Sequence, residues 1–505
     1  MKLRVINQCL AAVALVACLT SCAEKKKDRR PNILLLMADN QSWNNTGCYG
    51  DSVVQTPNID QIAGQGVRFT NMFCNSPSCT PARASLLTGR DIWNLEDGAN
   101  LWGILPRKFA IYTDMLEQSG YQTGYSGKGW APGSYKANGR PHNPAGHYYK
   151  SFKEFMAHTN GSGPWTYWFS SYQPGRPFDP KNPDAVGAGL KAGIDLNKIK
   201  VPKYLPDSKD VRMDIADYYA AIEKFDNEIG EIMAELKRVG QLDNTVIVVC
   251  SDNGWQMPRG LANLYDFGTH VPFIMSWPGR FKTNAVANNL VTLNDIAPTF
   301  LQLAGVDVPA NMTSKSLLPF VELNQPKAPE RSYVIYGRER HAFVRQHGLS
   351  YPGRAIRNND FLYIKNYEPG RWPAGDPPLY GDVDPYMMSY EGLAKFYMMA
   401  HKDDPKVKPL FDLAFAKRPA EELFDVKNDP DELHNLTYDN KYAAVKTQLA
   451  GQLKAYLVAT NDPRETGGKI IWDTTAYYSE IDKTPRPNKK AQKLFHLDSV
   501  YNYLK

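Results

Sequence analysis

The stretch PNILLLMADN, residues 31–40, is an apolar run that ends in an Asp-Asn pair. Much later in the chain, NTVIVVCSDNG, residues 244–254, repeats this design. Continuous apolar runs of this length are typical of strands buried on both faces of a parallel sheet. Because ligands bind at the carboxyl ends of such strands, we expect the two Asp-Asn pairs to border one site.

A long amphipathic helix is predicted between these strands, over residues 210–239. Its apolar residues recur at spacings of three and four, and Gly240 follows as a stop signal. The stripe consists of Tyr218, Ile222, Phe225, Ile229, Ile232 and Leu236. With a further apolar segment at residues 272–279, the pattern favours an α/β fold whose sheet is covered by helices on both faces.

The pattern of predicted strands and helices changes in the C-terminal part of the chain. Short strand patterns at residues 332–340 and 360–366 precede a predicted terminal helix near residues 442–458. Strands grouped before a last helix indicate a smaller α+β domain.

The N-terminus reads as an export signal. MKLRVINQCLAAVALVACLTSC, residues 1–22, has a basic start and an apolar run too short to span a membrane. Its end resembles a bacterial lipoprotein box, in which Cys22 is lipidated; a plain cleaved signal is the alternative. We therefore predict a lipoprotein signal peptide over residues 1–21 and a solvated tether over residues 22–30.

Composition excludes some classes of function. The net charge of +6 falls to about +4 without the signal, because Lys2 and Arg4 are lost, and no dense basic tract suggests nucleic-acid binding. Four cysteines remain beyond the anchor: Cys48, Cys74, Cys79 and Cys250. They do not amount to a disulfide scaffold.

One of these cysteines stands in the stretch SPSCTPARASLLTGR, residues 76–90. Pro81 suits the first turn of a helix, so Cys79 would lie at a helix N-terminus, which favours an anion and lowers a thiol pKa. A nucleophile is plausible there. A Cys-dependent phosphatase loop would need arginine at position 85, which is serine.

The same stretch resembles the motif of type I sulfatases, CxPxR followed by TGR. In that family the cysteine is converted to formylglycine, whose hydrated diol attacks the sulfur of a sulfate ester. Further segments resemble the family in the same order along the chain, namely residues 31–40, 56–74, 123–130, 251–254, 263–279, 295–305 and 422–436. The resemblance implies an alkaline-phosphatase-like catalytic domain with a mixed sheet between helices, over residues 31–345. The smaller C-terminal domain, with an antiparallel sheet, would cover residues 346–505.

The resemblance also implies the site. Arg83 would orient the diol and Lys128 would bind sulfate. A Ca²⁺ ion, with Mg²⁺ the less favoured choice, would be held by Asp39, Asn40, Asp252, Asn253 and the modified Cys79. Oxygen ligands of this kind suit hard cations rather than zinc.

The chain departs from the family on the side of the leaving group. Tyr172 stands where many members have histidine, and Leu261 stands where a basic residue is usual. The natural general acid is therefore not identified. We predict substrate contacts from His341, Arg340 and Arg259, and expect His270 to be structural. Residues 337–341 and 370–377 resemble a bacterial group related to heparan N-sulfatase, so the leaving group could be an amine or an alcohol.

The resemblance implies a sulfuric ester hydrolase that acts on a sulfated carbohydrate and requires a formylglycine-generating enzyme as a partner. The lipoprotein signal implies a cell-envelope location with a lipid anchor in the outer membrane. Two alternatives stay open: a catalytically impaired relative that binds sulfated glycans, and a phosphoester hydrolase of the same superfamily. Retention of Cys79, Pro81 and Arg83 argues against the first, and the shortage of histidine around Asp39 and Asp252 argues against the second.

Overall fold

The computed structural model describes residues 30–179, 181–182, 185–323, 331–383, 392–479, 489 and 492–493. The predicted signal peptide, the predicted lipidation site Cys22 and the predicted tether up to residue 29 lie outside these residues. None of the helices in the described part of the chain has the length and apolar character that a membrane crossing needs.

The α-helices are α1 (Pro57–Gly64), α2 (Cys79–Thr88), α3 (Tyr112–Gln118), α4 (Phe152–Thr159), α5 (Ala188–Lys191), α6 (Lys209–Arg238), α7 (Asp266–Thr269), α8 (Ile296–Leu303), α9 (Leu318–Val321), α10 (Leu393–Ala400), α11 (Lys408–Phe415), α12 (Ala443–Ala459) and α13 (Pro463–Thr466). The strands are β1 (Asn32–Ala38), β2 (Val67–Phe73), β3 (Gln122–Gly127), β4 (His147–Tyr148), β5 (Trp165–Ser170), β6 (Thr245–Ser251), β7 (His270–Ser276), β8 (Ala285–Thr292), β9 (Val334–Arg338), β10 (Gly353–Arg357), β11 (Phe361–Asn366) and β12 (Glu421–Asp425).

A large sheet of eight strands has the order β4-β3-β5-β1-β6-β7-β2-β8. Strand β7 is antiparallel to both of its neighbours, whereas the other pairings are parallel. The sheet is therefore mixed, as the resemblance implied. The two apolar runs quoted above form β1 and β6, which lie side by side at the centre of the sheet.

Each central strand is buried on both faces because helices cover both sides of the sheet. Alternate residues of β1 contact different layers: Leu34 and Leu36 pack in one cluster with α1, α4 and α6, and Leu35 packs in another with α2, α3 and α8. The long helix predicted over residues 210–239 is confirmed as α6. All six residues of its predicted stripe are buried.

A second sheet of four antiparallel strands has the order β12-β11-β10-β9. One of its faces packs on α12, whose Leu449, Leu453 and Leu457 are buried there. The other face packs on the large domain through a cluster that includes Phe73 and Leu264. The smaller antiparallel unit is thus confirmed. The division after residue 345 stays a prediction, and β9, which precedes it, belongs to this second sheet.

His270 is a packing residue, as expected. Its ring is stacked between Trp43, at 4.3 Å between centroids, and Phe73, at 4.6 Å, and one ring nitrogen lies 2.7 Å from the carbonyl oxygen of Thr70. Burial lowers the pKa of His270 to about 4, although Asp266, 3.8 Å away, opposes this shift. The buried ring is therefore neutral at pH 7.

We expect His270 to make the fold less stable as the pH falls from 6.5 towards 4. In this window the unfolded chain binds a proton on the histidine and the folded chain does not, so acid favours unfolding. The loss amounts to roughly 3 kcal/mol at most. Urea unfolding at pH 7 and pH 4.5 should show a smaller acid effect in His270→Gln than in the wild type. His434→Gln, at an exposed histidine, is the control, and equal acid effects in all three proteins would contradict the prediction.

Candidate active site

Two Asp-Asn pairs meet at the carboxyl edge of the large sheet. Strands β1 and β6 are parallel and pair Ala38 with Ser251, so the residues that follow them leave the sheet at the same level. The backbone N–H of Asn40 donates to Asp252 Oδ1 at 3.0 Å. Asn253 Nδ2 donates to Asn40 Oδ1 at 2.6 Å. The predicted meeting of these pairs is confirmed.

Helix α2 brings Cys79 to this edge. Ser78 is extended, the helix begins at Cys79, and Gly89, with φ of 64°, ends it. The whole helix is buried. The thiol lies 3.5 Å from Asp39 Oδ1 and 3.7 Å from Asn40 Oδ1. Side-chain ligand atoms of Asp39, Cys79 and Asp252 all lie within 4.8 Å of one another.

Arg83, one helical turn after Cys79, ties the cluster together. Its Nε donates to Asp252 Oδ2 at 2.8 Å, and both side chains are fully buried. Its Nη1 donates to the carbonyl oxygen of Gly129 and to Ser170 Oγ, each at 2.5 Å. Its Nη2 lies 3.5 Å from Asp39 Oδ1, so all three guanidinium nitrogens have partners that hold the side chain in one position.

Lys128 supplies a second cation from the turn after β3. Its Nζ lies 2.5 Å from Asp39 Oδ1 and 3.1 Å from Cys79 Sγ. The preceding Gly127 has φ of 75°, and a Cβ there would overlap the carbonyl oxygen of Ser170. Only glycine therefore allows the turn to approach β5, where the N–H of Lys128 donates to that same oxygen at 2.8 Å.

The residues present fit a hard divalent cation. The donor set consists of carboxylate and amide oxygens beside Cys79, which is the preference of Ca²⁺ or Mg²⁺. Asn253 Oδ1 is buried and has no hydrogen-bond partner, as a ligand oxygen awaiting a cation would be. Two carboxylates, Asp39 and Asp252, are buried in the same cluster, and a cation would stabilise both in the charged form.

Protonation differs between these groups. Burial acts to raise the pKa of Asp252, but Arg83 and Lys128 hold it below its ordinary value. Burial raises the pKa of Asp39, and the nearby Asp252 adds to this effect while Lys128 opposes it. Burial, together with Asp252, also raises the pKa of the Cys79 thiol well above its ordinary value. The expectation of a lowered thiol pKa was therefore wrong, because burial outweighs the helix N-terminus.

His341 joins the site through Ser78. Its Nδ1 lies 2.8 Å from Ser78 Oγ, one residue before the cysteine. Burial lowers the pKa of His341 to about 4, so the ring is neutral at pH 7. The buried Asp382 lies near it and accepts hydrogen bonds from both Arg338 and Arg345.

The group Arg338, Arg345 and Asp382 was missed by sequence reasoning. Arg338 belongs to the segment that drew attention to His341, but nothing in the sequence around Asp382 indicated a role. Each of the three side chains keeps one buried polar atom without a partner: Arg338 Nε, Arg345 Nη1 and Asp382 Oδ1. Such atoms are rare in folded proteins and mark this group as a candidate contact for a polar ligand.

Arg340 and Arg259 are engaged elsewhere. Arg340 is buried and donates to the carbonyl oxygens of Thr475 and Ala476 at 3.0 and 3.1 Å. Arg259, with φ of 65°, is also buried and donates to the carbonyl oxygens of Leu413 and Glu432. None of these contacts joins either guanidinium to the group around Cys79. Their roles in substrate binding stay predictions.

Tyr172 and Leu261 occupy very different positions. Leu261 is buried. Tyr172 is 59% exposed, and the carbonyl oxygen of the next residue, Gln173, accepts a hydrogen bond from the N–H of Asp39 at 2.9 Å. The segment that carries Tyr172 therefore borders the cluster, with its aromatic ring open to solvent.

Two further supports were also missed. Gln256 Oε1 accepts from Asn40 Nδ2 at 3.3 Å and from the N–H of Arg176 at 3.1 Å, which joins the Asn40 side chain to the segment after β5. Gly175 packs directly against Asp39, and a Cβ there would overlap Asp39 Oδ2. The sequence hints at the role of Gln256 only through its position close to the SDNG stretch, and it gives no hint of the role of Gly175.

Comparisons with known proteins agree with this geometry. The family model described as Sulfatase matches residues 31–168 and 145–306, and the one described as N-sulphoglucosamine sulphohydrolase, C-terminal, matches residues 259–373. An ulvan-active sulfatase of Formosa agariphila is 28% identical over 449 residues, which cover 86% of this chain and 81% of the relative. Human N-sulphoglucosamine sulphohydrolase is 25% identical over 508 residues, with coverages of 90% and 94%.

A solved structure shares the fold. It is described as a complex with its substrate D-glucosamine-2-N,6-O-disulfate and superposes with a TM-score of 0.59 at 20% identity, covering 86% of this chain and 98% of the other. Because the Sulfatase model spans more than half of the sequence, the chain belongs to the sulfatase family. The predicted resemblance and the alkaline-phosphatase-like fold are confirmed. The protein is a sulfuric ester hydrolase of a family that generally uses formylglycine and a divalent metal ion.

We expect Gly175→Ala to weaken divalent-metal binding at the cluster. The new methyl group must displace the Asp39 side chain. The two sheets should keep the overall fold unchanged. Metal content after dialysis, measured by mass spectrometry, should fall at least several-fold. Gly64→Ala is the matched control, because a Cβ at Gly64 meets open space. Unchanged metal content in Gly175→Ala would contradict the prediction.

Proposed function

We propose that the protein removes sulfate from a sulfated carbohydrate, a polysaccharide or a glycosaminoglycan fragment. The observation that carries the proposal is the buried cluster of Cys79, Arg83 and Lys128 beside two Asp-Asn pairs. The names of the ulvan-active and N-sulphoglucosamine relatives support a carbohydrate substrate. Exposed Tyr172 at the border of the cluster supports it further, because an aromatic ring offers a flat apolar surface with a polar tip.

Two groups would supply the central chemistry. Formylglycine formed from Cys79 would provide a diol oxygen as nucleophile, and Ca²⁺ bound by Asp39, Asn40, Asp252, Asn253 and the modified residue 79 would neutralise charge on the sulfate oxygens. The chain needs a formylglycine-generating enzyme as partner, since the encoded residue is cysteine. A thiol with a raised pKa is a poor nucleophile, which fits a precursor rather than a reagent.

The protein's own side chains position these groups. Arg83, fixed by Asp252, Gly129 and Ser170, holds the base of the site rigid. Lys128 places a positive charge 3.1 Å from the sulfur of Cys79, within reach of a sulfate oxygen. Because these charges are buried away from water, they act more strongly on a negative charge that develops in the site.

His341 faces the leaving group in this proposal. Its ring is neutral at pH 7 and therefore carries one N–H proton. The contact between its Nδ1 and Ser78 Oγ fixes the ring beside residue 79. Arg338, Arg345 and Asp382 would contact the sugar, since their unpartnered buried atoms can meet hydroxyl or anionic groups. This arrangement suits an alcohol or an amine as leaving group. The glycan-binding and phosphoester alternatives are not favoured.

Replacing Cys79 tests the mechanism. We expect Cys79→Ala to abolish sulfate release from a panel of sulfated saccharides, because no nucleophile remains. Cys48→Ala, at a half-buried cysteine, should keep full activity. Mass spectrometry of the wild-type peptide, made in a host with the maturation enzyme, should show the CH₂SH group of residue 79 converted to CHO. An active enzyme with an unmodified thiol would reject the mechanism, and release of phosphate but not sulfate would reject the substrate class.

Metal replacement tests the proposed cofactor. We expect chelation to lower sulfate release at least tenfold, and Ca²⁺ to restore it better than Mg²⁺, because Ca²⁺ takes more oxygen ligands from the protein than Mg²⁺ does. Zn²⁺ serves as the soft-metal control. Full activity of a chelated, metal-free enzyme would speak against the cation.

The predicted lipid anchor at Cys22 completes the proposal. An export signal with a lipoprotein box would tether the enzyme to the outer membrane, facing the periplasm or the cell surface, where sulfated polysaccharides are met during glycan degradation. Fatty-acid labelling of the full chain tests this, since an unlabelled protein would exclude the anchor.

A further inference from the structure

A second group of metal-ligating side chains lies at the β4 edge of the large sheet, apart from the catalytic cluster. Glu117 lies in the last turn of α3, His142 lies in the connection between β3 and β4, and His147 is the first residue of β4. One ligand atom from each lies within 4.8 Å of the other two. Among the described residues, this group and the catalytic cluster are the two that meet this criterion.

Hydrogen bonds hold the three side chains in place. His142 Nδ1 lies 3.0 Å from the carbonyl oxygen of Asn143, which leaves its Nε2 for a ligand. Thr123 Oγ1 donates to Glu117 Oε2 at 3.2 Å, which orients the other carboxylate oxygen, Oε1. His147 Nε2 lies 3.0 Å from that oxygen. The contacts with Asn143 and Thr123 restrain His142 and Glu117 from outside the group, as is typical of metal ligands, whereas the contact between His147 and Glu117 lies within the group.

The pairing of the two imidazoles points to a metal rather than to a simple ion pair. The rings of His142 and His147 lie 4.3 Å apart between centroids, and a ligand atom of each lies within 4.8 Å of a carboxylate oxygen of Glu117. A metal ion can bind one nitrogen of each ring together with one carboxylate oxygen, whereas an ion pair uses only one of the two rings. Zn²⁺ bonds of about 2.0–2.2 Å place ligand atoms about 3.4 Å apart. This separation lies between the 3.0 Å of the contact between His147 and Glu117 and the 4.8 Å within which all three ligand atoms lie.

We propose that Glu117, His142 and His147 form a Zn²⁺ site with three protein ligands and open positions for water. Two imidazoles and one carboxylate suit zinc, whereas Ca²⁺ prefers oxygen ligands alone. The site is partly exposed, so the ion can enter directly from solvent. No role of this kind follows from the sulfatase chemistry, which takes place at the other cluster.

The ion would fasten the edge of the large sheet. Strand β4 pairs with β3 through only two residue pairs, Gly124 with His147 and Tyr125 with Tyr148. Asn143, beside His142, accepts a hydrogen bond from the N–H of Trp130 and donates to its carbonyl oxygen, each at 3.0 Å. Zinc would therefore stabilise the segment that supports the turn carrying Lys128.

Zinc binding to the full chain tests the site, with excess Ca²⁺ present to occupy the catalytic cluster. Isothermal titration with Zn²⁺ should give one equivalent bound and a raised unfolding temperature in the wild type and in Cys79→Ala. The double variant His142→Ala/His147→Ala should bind Zn²⁺ at least tenfold more weakly and lose the rise in unfolding temperature. His434→Ala is the matched control, because it removes an exposed histidine that lies 3.1 Å from Asp429 without a second imidazole.

The outcomes separate the sites. Zinc binding that survives in the double variant but is lost in Cys79→Ala would overturn the proposal, since the ion would then occupy the catalytic cluster. Absence of zinc binding in the wild type would overturn it as well. Unfolding of the double variant without zinc should match the wild type, and sulfate release, measured with Ca²⁺ alone, should be unchanged.

Discussion

The parallel pairing of β1 with β6 is the constraint on which the site depends. It sends Asp39 and Asp252 off the sheet side by side and buried, an arrangement that like charges oppose. Arg83 makes it tolerable by contacting Asp252 at 2.8 Å with no exposure of either side chain. Removing one partner of such a buried pair typically costs about 3–5 kcal/mol. Arg83, the arginine of the CxPxR motif, is therefore also a structural residue of the large domain.

Much of this framework was readable from the sequence because it rests on local patterns. Burial of β1 and β6 can be predicted from their apolar runs, and burial of one face of α6 from the spacing of three and four residues between its apolar side chains. The observed bounds of α6 differ from the predicted ones by one residue at each end. The helix after Ser78 was also readable, since Pro81 and Gly89 mark its first turn and its end. Family resemblance then assigned the residues at the ends of these elements.

The rest of the site depends on contacts between distant parts of the chain. No local pattern reveals that β7 runs against its neighbours, that Gly175 touches Asp39, or that Asp382 joins two arginines near His341. The thiol pKa was misjudged for the same reason: a helix N-terminus is visible in sequence, whereas the burial that outweighs it comes from the whole fold. The proposed leaving-group side was hardest to predict because His341 contacts Ser78, and Asp382 contacts Arg338 and Arg345, across large separations along the chain.

The burial of α2 has a consequence for the order of events during biosynthesis. Every residue of the helix is buried, and Arg83 is locked to three partners. An enzyme that had to grasp this segment could not do so once the sheet had closed over it. The proposed conversion of Cys79 would therefore have to precede the folding of the domain, and the fraction of active protein would depend on which of the two happens first in each newly made chain.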